Sequence, residues 1–249
     1  MLNRSRITDI ELAPAGHLAI DWARRHSPLV NGFLRERLSD GALNGKRVAV
    51  VVHLEAKTAF LATVLADAGA QVVVAGSNPH STRDEIAAAL VEQGIEVHST
   101  RDSGYEAWEK DLASVGASGP ELIVDDGAEL TLRMARQDPE KFALLKGVTE
   151  QTTTGVARLT ELSNRNMLPC PALAANDAAC KHLFDNKYGT GQSTVQAMLN
   201  LTNMLMAGKL VVVLGYGWVG RGIAANVRAL GGTAFVAEVD PVKALEAFM

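Results

Sequence analysis

Leu210-Val211-Val212-Val213-Leu214-Gly215-Tyr216-Gly217-Trp218-Val219-Gly220 sets an apolar, β-branched run directly before a G-x-G-x-x-G turn. Such a glycine pattern is weak alone, but here it follows a strand and opens a helix, which is the context it requires. Residues 222–230 continue at helical spacing, Phe235-Val236-Ala237 reads as a second strand, and Glu238 stands at its end. Gly215 permits the tight turn, Gly217 lets the backbone approach a pyrophosphate, and Gly220 allows close helix–strand packing. The helix N-terminus adds free N–H groups and partial positive charge. Glu238 would accept hydrogen bonds from ribose hydroxyls and repel a 2′-phosphate, which favours NAD over NADP.

Upstream of that loop the chain alternates strands and helices. Arg47-Val48-Ala49-Val50-Val51-Val52 reads as a strand covered on both faces, followed by a helix over 58–68. Gln71-Val72-Val73-Val74-Ala75 is a second strand closed by Gly76-Ser77-Asn78-Pro79, and 84–93 is a second helix. Ile95-Glu96-Val97 and Leu122-Ile123-Val124 complete four strands. Residues 1–44 read as helical and partly irregular, Val148 to Gly155 as a polar turn, and 193–207 as a helix closed by Gly208. The expectation is an α/β protein: a parallel-sheet domain, then the first βαβ of a Rossmann NAD-binding domain. Ligands of such sheets bind beyond the carboxyl ends of the strands, where His53, Ser77-Asn78 and Asp125-Asp126 fall.

The 249 residues are 47% hydrophobic and 21% charged, as expected of a globular chain with a sizeable core. A net charge of -4 with scattered Lys and Arg gives no footprint for nucleic acid. No apolar run reaches membrane-spanning length, and Asp9, Glu11 and Pro14 interrupt any signal-peptide core, so a cytoplasmic protein is expected. Cys170 and Cys180 form neither a disulfide framework nor a metal site, and both are expected to be small buried apolar residues.

Several ordered blocks resemble the adenosylhomocysteinase family, in its bacterial and archaeal form, over nearly the whole length. They are His53-Leu54-Glu55-Ala56-Lys57-Thr58, Ser77-Asn78-Pro79 with Ser81-Thr82, Asp125-Asp126-Gly127, and Glu150-Gln151-Thr152-Thr153-Thr154-Gly155. Further on come Asn176-Asp177, Lys181, Phe184-Asp185-Asn186-Lys187-Tyr188-Gly189-Thr190-Gly191-Gln192-Ser193, and the glycine loop itself.

The resemblance implies a homo-oligomer, a homotetramer in the family pattern, that converts S-adenosylhomocysteine to adenosine and homocysteine with bound NAD. In the implied reaction the 3′-hydroxyl is oxidised, a base removes the C4′ proton, homocysteine leaves from C5′, water adds, and the ketone is reduced again. Lys181 would assist deprotonation of the 3′-hydroxyl, with Asn186 positioning it and touching the cofactor. Asp126 would act at C4′ and His53 on protons at C5′. Asp185 and Gln151 would hold ribose hydroxyls, Glu55 and Lys57 would contact substrate, and Thr152, Thr153 and Thr154 would reach the nicotinamide and its ribose. The substrate domain would span 1–190, with a hinge helix and the NAD-binding portion at 191–249.

Four departures from the family pattern stand out. Gln151 replaces the second glutamate of Glu-Glu-Thr-Thr-Thr, and an amide accepts at one end while donating at the other. Arg83 stands where glutamine is usual, and Ala128-Glu129 replaces Gly-Asp. The fourth is length: relatives continue through the rest of the NAD-binding sheet, so a fragment, a chain completed by another chain, or a shortened relative is expected. Two rivals follow from these departures: a paralogue acting on another adenosine-like nucleoside, and a non-catalytic nucleotide-binding homologue.

Overall fold

The computed structural model describes residues 4–249. Residues 1–3, which the helical reading of the N-terminal segment includes, lie outside the described residues. The chain forms two compact units, one ending at Ala174 and the other running from Ala175 to Met249.

The first unit is built on a six-stranded sheet, all parallel. Its strands are β1 (Arg47–Val52), β2 (Gln71–Gly76), β3 (Glu96–His98), β4 (Leu122–Asp125), β5 (Gly147–Glu150) and β6 (Ala172–Ala174). Their order across the sheet is β3-β2-β1-β4-β5-β6. Side chains alternate along β1, so Val48, Val50 and Val52 join Phe60, Val64, Ile86 and Leu90 on one face. Ala49 and Val51 join Trp108, Leu112, Ile123, Leu130 and Met134 on the other. With both faces covered, each residue of the strand must be apolar, and the unbroken run in the sequence is the result.

Helices α1 (Ala13–Arg25), α2 (Ala56–Asp67) and α3 (Asp84–Glu92) carry the first of these layers. Helices α4 (Tyr105–Ala117), α5 (Glu129–Gln137) and α6 (Thr153–Asn164) carry the second. The β3 edge is partly closed by the N-terminal segment: Arg6 N donates to Val97 O at 2.8 Å and Ser99 N donates to Arg6 O at 3.0 Å. The Arg6 guanidinium also pairs with the buried Asp111.

Strand β5 corrects the polar turn expected from Val148 onward. Its inward side chains are Val148 and Glu150, both buried, and only one of them is apolar. A strand that buries a carboxylate has no apolar signature in the sequence. The cysteines also differ from expectation: Cys170 is only partly buried and Cys180 is exposed.

In the second unit a π-helical segment, Lys181–Thr190, runs into α7 (Gly191–Thr202). Then follow β7 (Leu210–Leu214), α8 (Trp218–Ala229), β8 (Thr233–Ala237) and α9 (Pro241–Phe248), with β7 and β8 parallel. Helix α7 stops at Asn203, in the left-handed conformation with φ 51°, rather than at Gly208. Asparagine tolerates that conformation. The apolar spacing persists past the helix because Met206 packs from a loop onto Val195 and Val227.

Candidate functional site

Strand order reverses between β1 and β4, since β1 leads outward through β2 to β3 while β4 leads through β5 to β6. The crevice beyond the carboxyl ends at such a reversal is the binding position of open α/β sheets. His53 follows β1, Ser77 follows β2 and Asp126 follows β4. The fold therefore gathers residues from three separate stretches of chain at one place.

There they touch. Ser77 Oγ donates to Asp126 Oδ2 at 2.6 Å, and the same oxygen lies 3.3 Å from His53 Nε2. Asp126 is buried while His53 is half exposed. Ser81 Oγ directs its proton to Asn78 O at 2.9 Å, so it accepts from His53 Nδ1 at 2.6 Å. The remaining ring nitrogen then faces the carboxylate, an arrangement that is attractive with one proton between Nε2 and Oδ2. This is an acid–base pair: two groups that can exchange a proton, oriented by two serine hydroxyls. Ser77 and Ser81 were given no role from sequence. Their signals are a place at a strand end and membership of the block Ser77-Asn78-Pro79 with Ser81-Thr82.

Helix α2 begins just beyond His53, and its start explains the local sequence. Glu55 caps it, its Oε1 accepting from Lys57 N at 3.1 Å and Thr58 N at 3.2 Å, while Glu55 N donates to Thr58 Oγ1. Thr58 Oγ1 also bonds His53 O at 2.5 Å, which fixes the histidine backbone. Lys57 Nζ lies 3.2 Å from Glu55 Oε2 and is otherwise exposed. Arg83 pairs with Glu85, its guanidinium 2.6 Å from Oε1.

Below the pair lie two buried carboxylates. Glu150 Oε1 accepts from Gly127 N at 3.0 Å, Thr152 N at 2.7 Å and Thr152 Oγ1 at 2.7 Å. Its Oε2 accepts from Ala128 N at 2.8 Å. Ala128 is left-handed, at φ 56°, a conformation that costs about 1–2 kcal/mol for a residue with a Cβ. The Glu150 carboxylate holds it there. Gly155 packs over that carboxylate so closely that a Cβ would come within 2.1 Å of Cδ. Thr152 caps α6, its hydroxyl bound to Glu150 and to the Gly127 and Gly155 amides. Thr153 and Thr154 are exposed in the first turn. Gln151 is half buried, its N–H bonded to Asp125 O at 3.3 Å.

Asp125 is fully buried, accepting from Asp126 N, Leu130 N, Thr131 N and Thr131 Oγ1. Burial pushes its carboxyl up to about 7, against the Thr131 hydrogen bonds, and the Glu150 charge adds to the rise. In the folded state Asp125 thus keeps its proton between about pH 4 and about pH 7, where the unfolded chain loses it. Its contribution to stability is greatest below that window and is lost as pH rises through it. Asp125→Asn removes this dependence. In urea unfolding the variant should gain about 3 kcal/mol relative to wild type between pH 4.5 and 7.5. A difference that does not change with pH would show that Asp125 ionises as freely folded as unfolded.

In the second unit, Lys181 Nζ donates to Asn176 Oδ1 at 3.1 Å and lies 3.6 Å from Asp185 Oδ2. Asn186 is buried, and its Oδ1 has no hydrogen-bond partner among the described residues. In the glycine loop Gly215 has φ +93°, and a Cβ on Gly220 would come 2.1 Å from Gly215 O. Gly217 caps α8 with no side chain, and nothing lies within 4 Å of where its Cβ would be. The helix N–H groups are therefore open to an anion. Glu238 accepts from Tyr216 N at 2.5 Å and from Val239 N and Asp240 N. Amide donation from Asp240 and Tyr216 holds its carboxyl below the usual range, so it is charged.

Residues 4–144 match the family described as S-adenosyl-L-homocysteine hydrolase, and residues 186–249 match that family's NAD binding domain. The chain belongs to the S-adenosyl-L-homocysteine hydrolase family.

Among the family's curated members, the S-inosyl-L-homocysteine hydrolase of Methanococcus maripaludis is 44% identical over 98% of this chain and 59% of its own length. That of Methanopyrus kandleri is 47% identical over 97% of this chain and 57% of its own. The adenosylhomocysteinase of Thermotoga maritima is 47% identical over 94% of this chain and 58% of its own. The chain thus spans less than two thirds of the length of these relatives. The family's cofactor domain takes NAD, and the residues here fit that group: an open helix N-terminus, a glycine turn, an acidic residue at the strand end and a buried amide oxygen awaiting a donor.

Proposed function

We propose that this chain carries the NAD-dependent cleavage of S-adenosyl-L-homocysteine to adenosine and homocysteine. The observation that carries the reading is the acid–base pair His53–Asp126 at the sheet's switch point, in a chain that matches both domains of the hydrolase family. Bound NAD supplies reversible oxidation at the ribose 3′-carbon, which makes the C4′ hydrogen acidic. Lys181, held by Asn176 and Asp185, moves the proton of the 3′-hydroxyl. Asp185 and Gln151 hold ribose hydroxyls, and Asn186 positions Lys181. Asp126 removes the C4′ proton. His53 delivers a proton to the departing homocysteine sulfur and then takes one from the water that adds at C5′. Thr153 and Thr154 serve the cofactor, whereas the Thr152 hydroxyl is committed to the loop.

With this reading go a substrate-binding domain over 1–190, a hinge helix with the cofactor portion over 191–249, and a cytoplasmic homotetramer. Among the described residues no helix is long and apolar enough to cross a membrane.

A second reading concerns the base. Two of the relatives above are named for S-inosyl-L-homocysteine. Adenine presents an amino donor at C6 and hypoxanthine a carbonyl acceptor, and the Lys57 ammonium can only donate. In this second reading Lys57 contacts the base and hypoxanthine is its better partner. Free thiol released by the purified protein from each thioether, with NAD measured after denaturing extraction, separates the readings. Faster release from the adenosyl compound supports the first, and a preference of about tenfold for the inosyl compound supports the second. Absence of thiol from both, with NAD bound, overturns both.

A further inference from the structure

His182 has no place in the reaction outlined above, yet it occupies a specific position. Asn176 is buried, and its amide is used at both ends: Oδ1 accepts from Lys181 Nζ at 3.1 Å, and Nδ2 donates to Asp177 Oδ1 at 2.9 Å. Nδ2 also lies 3.3 Å from His182 Nε2. An amide nitrogen only donates, so His182 Nε2 must accept, and the ring proton sits on Nδ1. The far face of the imidazole stacks on Trp218, with ring centroids 6.0 Å apart and planes 19° from parallel. Trp218 lies between the second and third glycines of the nucleotide loop and is covered by the Arg221 guanidinium at 4.9 Å.

We infer that His182 is a positioning residue for Lys181: its unprotonated Nε2 sets which way the Asn176 amide faces. With the amide so placed, an oxygen meets the lysine. Turned over, the amide would set an NH2 group against an ammonium, leaving Lys181 without that acceptor. Asp177, more exposed, shares the task at the same Nδ2, its Oδ1 4.0 Å from His182 Nε2. The stack on Trp218 ties this arrangement to the loop that receives the cofactor phosphates, so the lysine and the loop are ordered together.

The inference rests on the role given to Lys181, but its test does not need turnover. Competitive acylation of the 249-residue protein with acetic anhydride at fixed pH, read by mass spectrometry, reports how freely each lysine offers its amine. Lys187, on the same helical segment, is the internal standard, because local unfolding would raise both rates. His182→Phe keeps the stack and removes the acceptor. It should raise Lys181 acylation about threefold relative to Lys187. His182→Gln restores an acceptor and should return the ratio to the wild-type value. Wild-type labelling in His182→Phe, or equal labelling in the two variants, overturns the inference. Thiol release by the holoprotein, measured alongside, tests the function separately: its absence in wild type removes the reaction and leaves the labelling result standing.

Discussion

Glu150→Gln is expected to loosen the segment that follows Asp126 by about 3 kcal/mol, without changing the size or shape of the side chain. The carboxylate accepts four hydrogen bonds, three at Oε1 and one at Oε2. An amide can accept at only one of those atoms, so its NH2 group must face a backbone or hydroxyl donor in a site closed by Gly155. Breaking a buried charged arrangement from one side costs more than an average hydrogen bond contributes. Hydrogen exchange over residues 126–134 should therefore speed up about a hundredfold, with exchange in β1 and β2 little altered. Protection equal to wild type would mean that water or a shifted backbone satisfies these donors. The strained Ala128 makes the consequence local: once its N–H is released, the φ of 56° has little to sustain it.

Asp126→Asn is expected to lower thiol release by a factor on the order of 10³ while leaving the fold intact. The amide oxygen can still accept from Ser77 Oγ, so the side chain stays in place. What disappears is the capacity to take a proton. Adenosine recovered after incubation with wild-type protein in heavy water should carry deuterium at C4′, and adenosine from the variant should carry none. Deuterium at C4′ in the variant would transfer the base role to another group, with the His53 imidazole, 3.3 Å away, as the candidate.

Much of the architecture was legible because its signals are local. The unbroken apolar runs of β1, β2 and β4 follow from burial on both faces, and the glycine loop announces itself because left-handed or close-packed backbone admits few other residues. Strand β5 escaped notice for the opposite reason. Its buried Glu150 reads as a solvent-facing acid until its backbone partners are seen. Helix α7 ended early at Asn203 because a single left-handed residue stops a helix regardless of the apolar residues beyond it.

At the site, the candidates were available from the start, His53, Asp126 and Lys181 through blocks that resemble the family's and Glu238 through its spacing from the glycine loop. Which groups they meet was not. Ser77 and Asp126 are 49 positions apart, and Arg158 and the Gly127 carbonyl it binds are 31 apart. Such pairs form only after the strands have been laid in order β3-β2-β1-β4-β5-β6. Composition and spacing thus gave access to the α/β class and the nucleotide loop, because those depend on short-range chain geometry, whereas the candidate reactive side chains follow from the resemblance of their blocks to the family's. Tertiary structure alone determined that Glu150 supports a loop, that Asp125 holds its proton toward neutrality and that His182 faces Asn176. Burial and the direction of a hydrogen bond are properties of a packed neighbourhood, which residue order does not specify even for partners as near in the chain as Asn176 and His182.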